Sequence, residues 1–124
     1  MKIFTKLTFL VLFACLCWGS QAMGQPPSND HCIGSTLILC GGTATGSTVN
    51  ATAEPFTGGP SVWYRCTGDG TAFTASLCTG TNYDSQITVL RQSGGTSCGS
   101  FNNIGTNDNG CGQNGEITWN TVNG

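Results

Sequence analysis

Charge is scarce in this chain. Its 124 residues hold four Lys and Arg, six Asp and Glu, and one histidine. Two of the cations, Lys2 and Lys6, stand at the N-terminus, so residues 23–124 keep only Arg65 and Arg91 against all six acids. An acidic chain with no basic cluster excludes nucleic acid and anionic membrane surfaces as partners. One histidine excludes zinc sites built on several imidazoles. Long apolar runs are also missing. Residues 7–18 form the one such run, too short to span a bilayer comfortably, so no transmembrane segment is expected after it. Beyond it Ala, Leu, Glu and Lys are thin, while Gly, Thr, Ser and Asn abound. That balance disfavours helices and suits short strands joined by turns.

The lysines, the apolar run and the small residues Ser20-Gln21-Ala22 follow the order of a secretory signal peptide, residues 1–22. Secretion or display at the cell surface is the expectation. Cys15 and Cys17 leave with that segment, and Cys32, Cys40, Cys66, Cys78, Cys98 and Cys111 remain. An even set in an exported chain reads as a disulfide framework, which compensates for the modest core of one small domain.

Residues 23–31, with Pro26 and Pro27, read as an extended lead-in to a β-sandwich domain over 32–124. Strands are expected at 36–40, 43–49, 62–66, 71–78, 86–91, 101–104 and 116–121. Gly41-Gly42, residues 50–61, Thr67-Gly68-Asp69-Gly70 and residues 107–115 supply turns and loops. Phe73, Ala75 and Leu77 share one face of their strand, as do Ile87 and Val89, and Ile117 and Trp119. No 3.6-residue period competes, so the fold class is all-β. The last strand runs into the turn-type pair Asn123-Gly124, and at least one further strand is expected to complete the sandwich.

An ordered set of short motifs carries a resemblance. Asn29-Asp30-x-Cys32 opens it, then Cys40-Gly41-Gly42, Gly46-Ser47-Thr48 and Val62-Trp63-Tyr64. Ser76-Leu77-Cys78, Tyr83-Asp84-Ser85 before Ile87-Thr88-Val89, Cys98-Gly99, and Asn107-Asp108-Asn109 before Cys111-Gly112 follow. This order, over about residues 28–120, resembles the bacterial pre-peptidase C-terminal domain in its cysteine-rich version from secreted proteins. The resemblance implies a jelly-roll-like antiparallel β-sandwich. It also implies an accessory role beside secreted peptidases or in surface proteins, contacting substrate and leaving the scissile bond alone. The chain departs from the family at Cys66, Leu90 and Asn109, and in the missing closing strand.

The candidates for chemistry are few. Gly95-Thr96-Ser97-Cys98-Gly99 matches the G-x-S-x-G elbow, but no helix is expected after it and the one candidate base, His31, lies in the lead-in. A plain turn is the better reading, with a small serine hydrolase the remotest function. Residues 105–116 overlap an EF-hand loop, yet Gly105 stands where the first ligand must be Asp and no helices flank it. A looser calcium site at Asp84, Asn107, Asp108 and Asn109 competes with their use as turn formers. Trp63, Tyr64, Phe56, Tyr83 and Trp119 raise the question of a sugar platform, with Trp63, Tyr64 and Tyr83 the candidate ligand-stacking residues, set against the ordinary use of aromatics as core. Six cysteines allow 15 pairings. Cys32–Cys40 is the expected bond. Cys98–Cys111 would bracket residues 101–104, which leaves Cys66–Cys78. A regular hairpin over 62–78 holds that last pair apart, so either the hairpin or the pairing gives way.

The reading that results is a non-catalytic, exported module that binds an extracellular protein or polysaccharide and belongs to a larger architecture. A calcium-stabilised structural spacer is the alternative.

Overall fold

The computed structural model describes residues 24–94 and 98–123. The protein is all-β. A single 3-10 turn at Cys32–Gly34 precedes β1 (Thr36–Leu37), β2 (Tyr64–Arg65), β3 (Ala72–Ser76), β4 (Ile87–Gln92), β5 (Phe101–Asn107) and β6 (Glu116–Asn120). The strands pair as β1 with β2 in parallel, β3 with β6 antiparallel, and β4 with β5 antiparallel. No strand forms over 43–49, where the composition is small and polar and offers no apolar face to bury.

The β3–β6 ladder follows from alternation. Phe73 faces Trp119 and Ala75 faces Ile117 across the register. The two rings meet edge to face, 6.1 Å apart at 76°, a favoured geometry for their quadrupoles. On the opposite face the Thr74 and Thr118 hydroxyls bond at 2.7 Å. Thr88 and Thr106 repeat that device at 3.1 Å in the β4–β5 ladder, as opposed Thr pairs do in sheets. A register shift between Val89 and Leu90 bends this second ladder. Gly105 on β5 lies under Ile117 of β6, where a Cβ would stand 2.9 Å from its Cδ1. Arg91 Nη2 donates to the Asn120 carbonyl at 3.0 Å. These contacts seat the β4–β5 pair against β6.

Residues 62–78, which could have formed a hairpin, do not: β2 pairs with β1 and β3 with β6. Residues 67–70 do not fold β2 back onto β3. Asp69 Oδ1 accepts the Thr71 amide (2.9 Å) and hydroxyl (2.6 Å), and the Thr121 hydroxyl takes the Asp69 and Gly70 amides. This local polar alternative outcompetes a two-strand turn. It sends β3 to β6 and leaves β2 to β1.

The disulfides correct the expected pairing. Cys32 bonds Cys98, not Cys40, with Cα atoms 5.8 Å apart across 66 residues of sequence. Cys78 bonds Cys111, neither Cys66 with Cys78 nor Cys98 with Cys111, at 5.7 Å across 33 residues. Both bonds are long-range. Proximity along the chain misled because the lead-in packs against distant segments and not against the end of β1.

Among the described residues no hydrophobic side chain is fully buried; the buried side chains are Asn29, Asp30 and Ser85. Asn29 brackets Trp63: its carbonyl accepts the Trp63 amide at 2.8 Å and its Nδ2 donates to the Trp63 carbonyl at 3.1 Å. Asp30 takes the Thr52 amide on Oδ1 (2.6 Å) and the Thr52 hydroxyl on Oδ2 (3.1 Å). The Asn29-Asp30 pair thus staples residues 52 and 63 to the start of the domain, and the neighbouring Cys32 continues the staple covalently.

Replacing Cys32 and Cys98 together by serine should lower the unfolding free energy by about 4 kcal/mol, the chain entropy returned to so long a loop. Denaturant titration of folded variant and parent measures it. A loss below about 1 kcal/mol would mean that the bond constrains little.

Candidate functional site

Two adjoining loops hold aromatic side chains outward. The first runs over residues 52–61. Its ends are joined by an Ala53–Pro60 bridge and by the Ser61 amide on the Thr52 carbonyl at 3.1 Å. Thr57 fills its centre. The Thr57 amide donates to the Glu54 carbonyl (3.0 Å), and its hydroxyl accepts the Glu54 amide (3.2 Å) with the Gly59 carbonyl 2.8 Å away. This internal bonding fixes the loop without apolar filling. Phe56 at its tip is 47% exposed. Phe56 stands edge-on to Phe101 at 6.2 Å and 81°, and Phe101 lies tilted on Trp63 at 5.6 Å and 32°.

The second loop carries Tyr83, 54% exposed. It is tied from beneath by buried Ser85, whose amide donates to the Gln113 carbonyl at 3.0 Å. The Asn114 side-chain amide, with its nitrogen turned toward the surrounding acceptors, donates to the Tyr83 carbonyl at 2.8 Å. Cys78–Cys111 closes the same region. A Cβ on Gly58 of the first loop would lie 4.0 Å from Gln86 Oε1, so the two loops are neighbours.

His31 borders the first loop. Its Nδ1 meets Glu54 Oε1 at 2.7 Å and its Nε2 lies 3.5 Å from Asp30 Oδ2. The hydrogen bond to Glu54 pushes its pKa upward, desolvation opposes it, and the Asp30 and Glu54 charges add to the rise. A shallow depression of about 290 Å³ opens beside it, lined by Pro26, Pro27, Asp30 and Ile33 among others. Ile33 is 91% exposed.

The structure separates the three aromatics expected to contact ligand. Trp63 is half-buried against Phe101, its indole N–H enclosed without an acceptor. Tyr64 is half-buried on the other side of the strand, its hydroxyl over Gly46, where no side chain fits. Tyr83 alone of the three stands free. Phe56 shares its exposure, and sequence periodicity carries no signal for it because it lies on a loop. The His31–Glu54 pair is equally invisible in sequence, 23 residues apart.

Of the calcium candidates, Asn107 Oδ1 accepts the Asn109 amide at 3.0 Å and the Glu116 amide at 3.4 Å. Asp108 Oδ1 accepts from Asn109 Nδ2 at 2.6 Å. These oxygens serve their own turn. Asp84 is exposed on the Tyr83 loop. Among the described residues no group of three or more His, Cys, Asp or Glu side chains gathers, and no helix is long and apolar enough to cross a membrane. Gly95, Thr96 and Ser97 lie outside the described residues.

Comparison of the chain with protein-family models, with curated proteins and with solved structures finds no match.

The His31–Glu54 contact should make the 52–61 loop pH-sensitive. A raised histidine pKa means that its stabilisation is complete below the ordinary value of 6.5 and is lost as pH rises through the higher folded value. The melting temperature should therefore fall between pH 5.5 and 8.5 more in the parent than in Glu54→Gln. Parallel pH profiles for the two proteins would contradict the contact.

Proposed function

We propose that this chain is a secreted or cell-surface accessory module, non-catalytic, that binds an extracellular protein or polysaccharide through aromatic side chains on fixed loops. The observation that carries this reading is Phe56 and Tyr83, both about half exposed on loops held by their own hydrogen bonds and by a disulfide. Aromatics fixed before binding lose little entropy when they contact a ligand, and such residues dominate recognition surfaces. The disulfides and the signal-like N-terminal segment support export. The ordered motifs from Asn29-Asp30-x-Cys32 to Asn107-Asp108-Asn109 support a pre-peptidase C-terminal type of domain, with the three ladders as parts of a jelly-roll-like β-sandwich.

The test is retention of the purified chain on collagen, cellulose, chitin and host-surface fractions, beside peptidase and esterase assays. Phe56→Ala and Tyr83→Ala should each weaken retention about tenfold, the loss of one anchor worth roughly 1.4 kcal/mol. Retention unchanged in both variants would move the binding surface elsewhere. No retention, with a melting temperature raised by millimolar Ca²⁺ over EDTA, would favour a calcium-stabilised spacer using Asp84 and Asn107 to Asn109. Hydrolysis lost in Ser97→Ala would overturn the non-catalytic reading; His31 and Ser97 are the sequence neighbours of the bonded Cys32 and Cys98.

A further inference from the structure

Among the described residues two cysteines remain outside the bonds described above: Cys40 and Cys66, both exposed thiols. The β1–β2 ladder brings them to one place. Thr36 pairs with Tyr64 and Leu37 with Arg65 in parallel register, and the Ile38 amide then donates to the Arg65 carbonyl at 2.9 Å. Beyond that bond the first strand turns. The Gly42 amide reaches the Leu39 carbonyl at 2.8 Å, with Gly41 at φ 72 in the left-handed region that favours glycine. Cys40 occupies the bend of that turn. Its thiol points to the segment that follows β2, Sγ 4.0 Å from the carbonyl oxygen of Thr67, the residue after Cys66.

We propose that Cys40 and Cys66 are a redox-active pair that closes to a third disulfide across the end of the β1–β2 ladder. Continued by one residue, the parallel register sets Cys66 beside Ile38, and the turn from Leu39 to Gly42 carries the Cys40 thiol to the carbonyl of Thr67, next to Cys66; closure requires the two Cα atoms within about 7 Å. Partial burial, and then the charge of a Cys40 thiolate, push the Cys66 thiol upward, the electrostatic mark of two sulfurs in a common neighbourhood. The two-residue ladder buries little apolar surface, with Leu37 and Leu39 53% and 74% exposed, and is held by polar contacts such as Arg65 to Ser35.

The oxidant is a disulfide of the glutathione class. One protein thiolate attacks it, forming a mixed disulfide and releasing one thiolate. The second protein thiolate then attacks the protein sulfur of that mixed disulfide and releases the other. The pair loses two protons and two electrons in all, and the oxidant leaves as two thiols. Both sulfurs are reachable for this exchange because both residues are exposed. The closed bond fixes the loop from 40 to 66, which carries Glu54 and Phe56. The proposal stands on β1–β2 geometry alone and is independent of any ligand.

The experiment uses the full chain, with and without exhaustive oxidised glutathione, followed by iodoacetamide and non-reducing digestion. Trypsin cuts at Arg65 and Arg91, and a second protease separates Cys32 from Cys40 and Cys66 from Cys78. Among the six cysteines from Cys32 onward, the expected result is alkylation of Cys40 and Cys66 alone before oxidation. Afterwards neither is alkylated, the mass measured before alkylation is lower by about 2 Da, and a cross-linked peptide joins the two. Material isolated already bonded gives that peptide at once. Cys40→Ser should keep a single glutathione on Cys66 and melt on the order of 10 °C below the oxidised parent. If that variant does not fold, peptide mapping of the parent decides. Cys40 and Cys66 each remaining alkylatable, each holding its own glutathione, or bonded to other cysteines would overturn the proposal.

Discussion

Cross-chain stitching by polar groups and sulfur, in place of a closed apolar interior, governs this structure. Asn29 and Asp30 are buried where a small domain ordinarily buries Leu or Val. A buried carboxylate is tolerable only when its lone pairs are used, and Thr52 uses both oxygens of Asp30. Immediately downstream, Cys32 carries the same segment to Cys98. The first residues of the domain therefore act as a strap over its later parts. Ladders of two strands are marginal alone, and here the strap, the second disulfide and the seating of Ile117 on Gly105 hold them together.

The same principle shapes the candidate surface. Loops usually carry function because a scaffold presents them. Here the loops at 52–61 and around Tyr83 are built from hydroxyl and amide bonds that need no apolar filling, which frees Phe56 and Tyr83 to face outward. Thr57 in one loop and Asn114 under the other are the central residues. The His31–Glu54 contact couples the strap to the first loop, so the element that holds the fold also positions part of the surface.

The all-β class and the edges of β3, β4 and β6 were legible in sequence, because Phe73 and Ala75, Ile87 and Val89, and Ile117 and Trp119 alternate cleanly. Pairing was not. Alternation says which face is apolar, but carries no information on which strand lies alongside. The turn at Asp69 and Thr71 satisfies itself locally, so it looked like a hairpin and acted as a redirection. Disulfide connectivity failed for a related reason: short separations favoured Cys32–Cys40, whereas the strap makes Cys98 the neighbour of Cys32. Exposed aromatics on loops have no period, so residue type alone points to Tyr83 and Phe56 and does not separate them from the half-buried Trp63 and Tyr64. Trp63 illustrates the converse, an aromatic whose half-buried place against Phe101 depends on a β5 residue far along the chain.

If polar stitches and disulfides do most of the holding, unfolding exposes little apolar surface. The heat-capacity change of unfolding reports that surface directly. Calorimetry of the disulfide-bonded chain should give a value per residue clearly below the roughly 12–15 cal/mol/K of ordinary globular proteins. A value within that ordinary range would show a conventional buried core and contradict the account.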